Sequence, residues 1–368
     1  MDSLPPPTQR HKCSACYKQY KKKEHLIEHM KISCHSAHDP KCPLCKKHCK
    51  SLESVREHLT GPLPKGNCAD IFGAKGCKLC LNIFDSPDEL TKHMDLCLMA
   101  PATAPGPMSM PIMDNCFLPE SLLSSGLSSG NHDNEVVAMD CEMVGGGSDG
   151  SLDLCARVCI INEDENVIFH SFVQPIIPVN DYRYELTGIS EEHLVGASPL
   201  LDVSNKIEEI LYNGEPSWKA RLGGGKARIL VGHDLEHDLN CLRIYYPDHL
   251  IRDTAKYRPL MRTNLVSHSL KYLTKTYLGY EIQTGIHDPY EDCVAAMRLY
   301  KRMRAQLHRS TPLLVPNDCS SIFCKRRGNP FDLRLLVELK KMSSDELLAM
   351  SVSSYKCWCL DNLHCTDS

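Results

Sequence analysis

The sequence predicts an α/β body, a mixed sheet covered by helices, set behind a head of small ββα modules. Three observations carry that prediction. Apolar strand patterns at Glu135–Met143, Cys155–Ile161 and Val167–Val173 are followed by alternating helical and strand patterns. A stretch at 98–134 with five prolines, the run SLLSSGLSSGN and no Lys or Arg sets that body apart as a flexible linker would. Residues 1–97 hold 10 of the 21 cysteines.

The head carries one unit three times. Cys13-x2-Cys16, Cys42-x2-Cys45 and Cys77-x2-Cys80 are each followed, after twelve intervening residues, by His29, His58 and His93. That span suits a hairpin bearing two thiolates and a helix bearing the histidine, the frame of a tetrahedral zinc site. Tyr20 with Leu26, and Phe84 with Leu90, take the apolar positions of such a module. The middle unit has Cys49 and Val55 there, a weaker core. The fourth donors differ. Unit three closes on Cys97. Unit one offers Cys34 or His35, with His35 preferred. Unit two must reach Cys68 across GPLPKGN. About three structural zinc ions are expected, because small modules need a metal to hold a small core.

Composition agrees with two or three folded domains. Of 368 residues, 42% are hydrophobic and 24% charged, which excludes disorder throughout. No uncharged apolar run approaches the ~20 residues of a spanning helix, so no membrane partner is expected. The segment MDSLPPPTQR has no basic-then-apolar pattern, so secretion is not expected. In a reducing compartment, cysteines at these spacings point to metal rather than disulfides. Charge is uneven. Residues 1–97 hold 16 Lys+Arg against 11 Asp+Glu, and the remainder 26 against 35. A basic head on an acidic body fits a head that faces nucleic acid.

Along the body, the first three strands read as antiparallel, with the acidic turn NEDEN between the second and third. Val203, Ile207, Ile210 and Leu211 mark a helix. Arg228–Gly232 and Leu250–Asp253 read as short strands around a helix over Leu239–Tyr246. Leu270, Leu273 and Leu278 mark another helix, and Asp288–Leu307 the last. Four segments follow: 1–97, 98–134, 135–308, and a C-terminal extension at 309–368 whose legible part is an amphipathic stretch around Leu333–Leu348.

Five residues stand out chemically. Asp140 and Glu142 lie two apart on the first strand, so both carboxylates share one face. Such a pair repels itself unless a hard cation such as Mg²⁺ lies between. Asp238, with Asp234 as alternative, sits in VGHDLEHDLNCL at a helix start, and His287 and Asp292 enter the last helix in GIHDPYEDCVAAM. Each has an ordinary structural explanation alone. Together, four carboxylates can hold two metal ions and one histidine can accept a proton from water, the requirements of phosphodiester hydrolysis.

VVAMDCEMVG, VGHDLEHDL and H-x4-D resemble the three motifs of the DEDDh 3′–5′ exonucleases, over roughly residues 134–308 and including VNDYRYELTGIS. Within these the chain is similar to the RNA exonuclease, interferon-stimulated exoribonuclease and apoptosis-enhancing nuclease group. The finger-bearing head is similar to that of plant members. The resemblance implies an RNase H-like fold. It implies Asp140, Glu142, Asp238 and Asp292 as ligands of two Mg²⁺ or Mn²⁺ ions, and His287 as general base. It draws Met143 and Arg183 toward the terminal nucleotide and its sugar. One departure is Leu239, where near relatives carry an aromatic. RNA is the favoured substrate and DNA the alternative; a catalytically inactive finger protein is the rival from another class. The expected compartment is the nucleus, with nucleolus and cytoplasm as alternatives.

Other motifs are weaker. Gly145–Gly147 and Gly223–Lys226 fail the phosphate-loop pattern, since Ala227 follows Lys226, and read as flexible loops. Cys357, Cys359, His364 and Cys365 could form a fourth zinc cluster at an unusual spacing. Lys325–Arg327 and the KRMR at 301–304 are basic runs suited to nuclear import or RNA contact.

Overall fold

A computed structural model describes residues 10–61, 66–97, 99–106, 135–222, 225–306, 333–351 and 354–365. The chain divides into two compact units. One holds Met1–Cys97, Arg258–Val266 and Gln306–Leu360; the other holds Leu98–Tyr257, Ser267–Ala305 and Asp361–Ser368.

The first unit begins with an antiparallel hairpin, β1 (His11–Lys12) and β2 (Gln19–Tyr20), followed by α1 (Lys23–Ser33). Leu26, Ile27 and Met30 are buried on the inner face of α1. The second module has a single bridge, Lys41 to His48, and α2 (Leu52–Thr60), capped by the Ser51 hydroxyl accepting from Ser54 N. The third has a bridge, Gly76 to Ile83, and α4 (Pro87–Leu96), capped by Ser86 with proline in its first turn. Between them runs α3 (Gly66–Lys75). The weak core expected for the middle module is corrected here. Phe72 of α3 is 1% exposed and packs with Val55, Leu59 and Leu81, supplying the bulk that Cys49 lacks.

The second unit holds a seven-stranded mixed sheet. Its strands are β3 (Val136–Gly146), β4 (Leu152–Asn162), β5 (Val167–Gln174), β6 (Val179–Asp181), β7 (Ser198–Pro199), β8 (Ile229–Gly232) and β9 (Ile251–Asp253). The order is β7-β5-β4-β3-β8-β9, with β6 pairing the end of β3. β3, β4 and β5 are antiparallel as expected, while β8 and β9 run parallel to β3. The helices are the short α5 (Tyr184–Thr187) and α6 (Glu191–Leu194), then α7 (Leu200–Tyr212), α8 (Ser217–Ala220), α9 (Leu235–Cys241), α10 (Leu270–Leu273) and α11 (Pro289–Arg304). Val203, Ile207 and Leu211 of α7 join Met139, Val158, Ile160 and Leu230 in one core. This mixed sheet flanked by helices is the expected RNase H-like arrangement.

Three expectations change. α9 starts at Leu235 and stops at Cys241, earlier than the apolar pattern implies. Leu242, Ile244 and Tyr246 are buried, so the core is filled from an irregular segment whose spacing mimics a helix. Arg243, at φ 58°, breaks the run. Gly145 and Gly146 are not a flexible loop but the buried end of β3, and a Cβ on Gly145 would lie 2.3 Å from Gly150 O. The linker is fixed at its start. Ala102 N donates to Leu278 O at 2.7 Å and Arg298 donates to Thr103 O at 2.6 Å. Residues 107–134 lie outside the described residues.

The C-terminal amphipathic stretch forms α12 (Leu333–Lys341) and α13 (Ser344–Ala349), the latter opened by a Ser343–Glu346 capping box. Leu339 and Leu347 are buried with Leu26, Ile27 and Met30 of α1. Lys340 pairs with Glu24 at 2.6 Å. The extension thus shares its core with the first finger module. The basic run at 301–304 is engaged by its own unit: Lys301 reaches Glu163 O and Arg304 pairs with the Glu163 carboxylate at 2.5 Å. Lys325–Arg327 lies outside the described residues.

Candidate active site

Period-two geometry sends the side chains of Asp140 and Glu142 to one face of β3. The register then slips between Glu142 and Met143, because β4 carries an extra residue, Ala156. Such a bulge re-aims the residues beside it. Asp238 stands in the first turn of α9 and Asp292 in the first turn of α11. Donor atoms of Glu142, His287 and Asp292 lie within 4.8 Å of one another. Asp140 feels the charges of Asp292, Asp238 and Glu142, so all four acids share one site. Asp234 starts α9 in the left-handed region and its N–H donates to Asp253, whereas Asp238 is the α9 acid whose charge acts on Asp140.

Crowding is legible in the protonation of the acids. Desolvation of a carboxyl set deep among protein atoms, then the Asp292 and Asp238 charges, push Asp140 well above the ordinary carboxylate range. Burial, then Asp292, pushes Glu142 up to about 8, against a lowering pull from Arg157. Burial pushes Asp292 up to about 7 although Gln283 donates to it. Asp238 is also raised, by burial and then by Asp234 and Asp253. Two buried carboxylate oxygens, Asp238 Oδ2 and Asp292 Oδ1, have no hydrogen-bond partner. Buried acceptors are ordinarily satisfied. An all-oxygen donor set with orphaned oxygens and mutual repulsion fits a hard divalent cation such as Mg²⁺ or Mn²⁺.

His287 is half-buried, and its backbone N–H donates to Leu186 O at 2.6 Å. Burial, then Lys271, lowers its pKa, with Glu291 opposing. Met143 is half-buried with its sulfur 3.7 Å from Cys241 Sγ. Arg183, at φ 49°, is spoken for: its guanidinium meets Asp153 at 2.6 Å and Gly150 O at 3.2 Å. Asp153 also meets His237 at 3.0 Å.

Sequence reasoning missed the supporting residues. Arg157 lies opposite Glu142 across β3 and β4 and meets Asp288, the cap of α11, at 3.2 Å. Gln283, in the left-handed region, donates to Asp292 Oδ2 at 2.7 Å. Only cross-strand register and turn geometry put them there. Of the stretch Gly223–Lys226, Gly223 and Gly224 lie outside the described residues, and after them the Glu215 carboxylate accepts from Lys226 N and Ala227 N at 2.8 and 3.1 Å.

In the first unit the expected finger ligands converge. Cys13, Cys16, His29 and His35 form one group; Cys42, Cys45, His58 and Cys68 a second; Cys77, Cys80, His93 and Cys97 a third. His35, not Cys34, completes the first. Cys68, in the first turn of α3, completes the second. Such soft donor sets fit zinc.

An exonuclease family model (RNase_T) matches residues 137–300. An RNA exonuclease 4 of Kluyveromyces lactis is 36% identical over 194 residues, covering 52% of this chain and 61% of the relative. The RNA exonuclease 4 of Homo sapiens is 36% identical over 190 residues, covering 50% and 42%. The chain thus spans less than two thirds of these relatives. A solved Saccharomyces cerevisiae PAN2 pseudoubiquitin-hydrolase–RNase module is 25% identical with a TM-score of 0.40, covering 56% of this chain and 32% of that one. The segment 137–300, which carries Asp140, Glu142, Asp238, His287 and Asp292, is thus similar to the exonuclease family model.

Proposed function

We propose that the chain is a metal-dependent 3′–5′ exonuclease acting on nucleic acid, with RNA favoured. The observation that carries this is the grouping of Glu142 and Asp292 with His287, beside Asp140 and Asp238 whose charges act on the same acids, with orphaned buried oxygens on Asp238 and Asp292. Asp140, Glu142, Asp238 and Asp292 would hold two Mg²⁺ or Mn²⁺ ions. Bound there, the cations would supply positive charge to the scissile phosphate and the leaving 3′-oxygen. The protein's own work is positional. Arg157 steadies Glu142 through its charge and α11 through Asp288, while Gln283 fixes one oxygen of Asp292. A ring nitrogen of His287, neutral at pH 7, takes the proton of the attacking water. Met143 and Arg183 are the side chains we assign to the terminal nucleotide, Arg183 exchanging Asp153 for the sugar or phosphate. RNA preference rests on the names of the relatives.

The test is digestion of matched 3′-labelled and 5′-labelled RNA and DNA oligonucleotides with Mg²⁺. Release of single labelled nucleotides from the 3′ end first, with a shortening ladder from 5′-labelled RNA, is expected. Endonucleolytic fragments, or no cleavage, would refute the proposal. Faster digestion of DNA would reverse the substrate assignment. A nuclear setting, with nucleolus or cytoplasm as alternatives, fits this activity.

The three finger clusters would hold three zinc ions, and the head would add affinity for nucleic acid. Lys21, Lys22 and Lys50 are exposed on the first two modules. Changing all three to Ala leaves the cores intact. For a long single strand, each lost phosphate contact is expected to lower the log–log salt slope by ~0.7. Turnover at saturating substrate is expected to hold. An unchanged affinity and slope would transfer the head to protein docking.

A further inference from the structure

We propose a fourth zinc site in the first unit, built by His38, Cys357 and Cys359, that fastens the C-terminal segment to the finger head. These residues are far apart in sequence, yet Cys359 Sγ lies 3.3 Å from His38 Nδ1, across 321 positions. Donor atoms of all three lie within 4.8 Å of one another. The three finger clusters provide an internal standard. Their sulfur–imidazole separations are 3.2 Å (Cys16–His29), 3.5 Å (Cys45–His58) and 3.3 Å (Cys80–His93). Tetrahedral zinc with ordinary Zn–S and Zn–N lengths sets that separation at about 3.5 Å. The fourth cluster therefore has the spacing of the other three, with His38 offering Nδ1 where the fingers offer Nε2.

The surroundings hold the donors in place. His38 sits in a tight turn: its N–H donates to Ser36 Oγ at 3.1 Å, and Ser36 N donates to Asp39 Oδ2 at 3.0 Å. Tyr355, two residues before Cys357, donates its hydroxyl to His38 O at 3.0 Å. Cys357 is 2% exposed and Trp358 beside it 4%. Arg258 stacks over the Tyr355 ring and donates to Ser354 at 2.6 Å, bracing the strand of chain that carries both thiols. Buried Asp39 has one oxygen, Oδ1, with no hydrogen-bond partner, beside Cys357. Two thiols and an imidazole select a soft cation, zinc above all, over the oxygen-seeking ions of the catalytic acids. Sequence reading paired Cys357 and Cys359 with His364 and Cys365; the side chains of those two lie outside the described residues. A fourth donor from the chain or from water closes the tetrahedron.

The site would act with the apolar contact of Leu339 and Leu347 on α1 as a second fastening. Zinc per chain, counted on the purified full chain by native mass spectrometry and elemental analysis, tests it. His38→Ala and the double variant Cys357→Ser/Cys359→Ser are each expected to lose one zinc relative to wild type. His38→Cys, which keeps a soft donor, is expected to retain the wild-type count. Unchanged zinc in His38→Ala or in the double variant overturns the proposal. So does loss of more than one zinc from His38→Ala, which marks collapse of the finger sites, or loss from His38→Cys.

Discussion

Asp292→Asn and Asp140→Ala are each expected to cut nucleolytic turnover by more than about 10²-fold, since removing even a supporting group around a metal costs up to that much. The same changes are expected to leave the fold intact, and Asp292→Asn should strengthen it when metal is withheld. The sign follows from proton binding. Burial lifts Asp292 from an ordinary 3.8 to about 7 and Glu142 from 4.5 to about 8. A carboxyl raised in the folded state holds a proton that the unfolded chain has released, so stability falls as pH rises between the two values. In EDTA the melting temperature of the wild type should therefore decline between about pH 4 and pH 8. Asp292→Asn removes one titrating group and should flatten that decline. Added Mg²⁺ should raise the wild-type melting temperature most at pH 8, where the acids are ionised, and raise the variant's less. Full activity in a folded Asp140→Ala or Asp292→Asn chain would remove these acids from the site. A wild type that grows more stable with pH in EDTA would contradict the crowding itself.

The parts legible in the sequence are those written in local periods. Asp140 and Glu142 share a face because strands alternate. The three Cys-x2-Cys units read directly because hairpin and helix lie within one short stretch. What escaped lies in relations between distant segments. Arg157 matters because the β3–β4 register, slipped by a bulge, sets it opposite Glu142. Gln283 matters because a left-handed turn swings it back onto Asp292, four residues after the glycine cap at Gly279. The ion pair of Arg183 with Asp153 on β4 likewise joins segments distant in sequence. α3 was hidden because its glycine-rich sequence has low helix propensity; burial of Phe72 and the reach of Cys68 hold it. The extension was illegible because its apolar face has no partner nearby in sequence, and Leu26 and Met30 of α1 supply it.

His287→Ala is expected to lower turnover by ~10²–10⁴-fold at pH 7.5, the usual contribution of a general base. Its second signature lies in the pH profile. A base acts when neutral, so its contribution is complete above its own pKa and is lost on acidification through it. Burial, then Lys271, holds His287 below the ordinary imidazole value, which places that loss on the acid side of 6.5. The acids impose a different limb. Glu142 at about 8 and Asp292 at about 7 must release protons before they can ligate, so apparent Mg²⁺ affinity should rise with pH up to about 8 and level off above. The limbs separate by metal concentration. At low Mg²⁺ the activity profile should fall early, near the pKa values of the acids. At saturating Mg²⁺ the acids are held ionised, and the fall should shift toward the lower pKa of His287. In His287→Ala the profile at saturating Mg²⁺ should lose that acid limb, while the dependence of Mg²⁺ affinity on pH should match the wild type. An acid limb that persists unchanged in the variant at saturating metal would assign the proton to another group. A Mg²⁺ affinity that shifts with the histidine would make His287 a ligand and not the base.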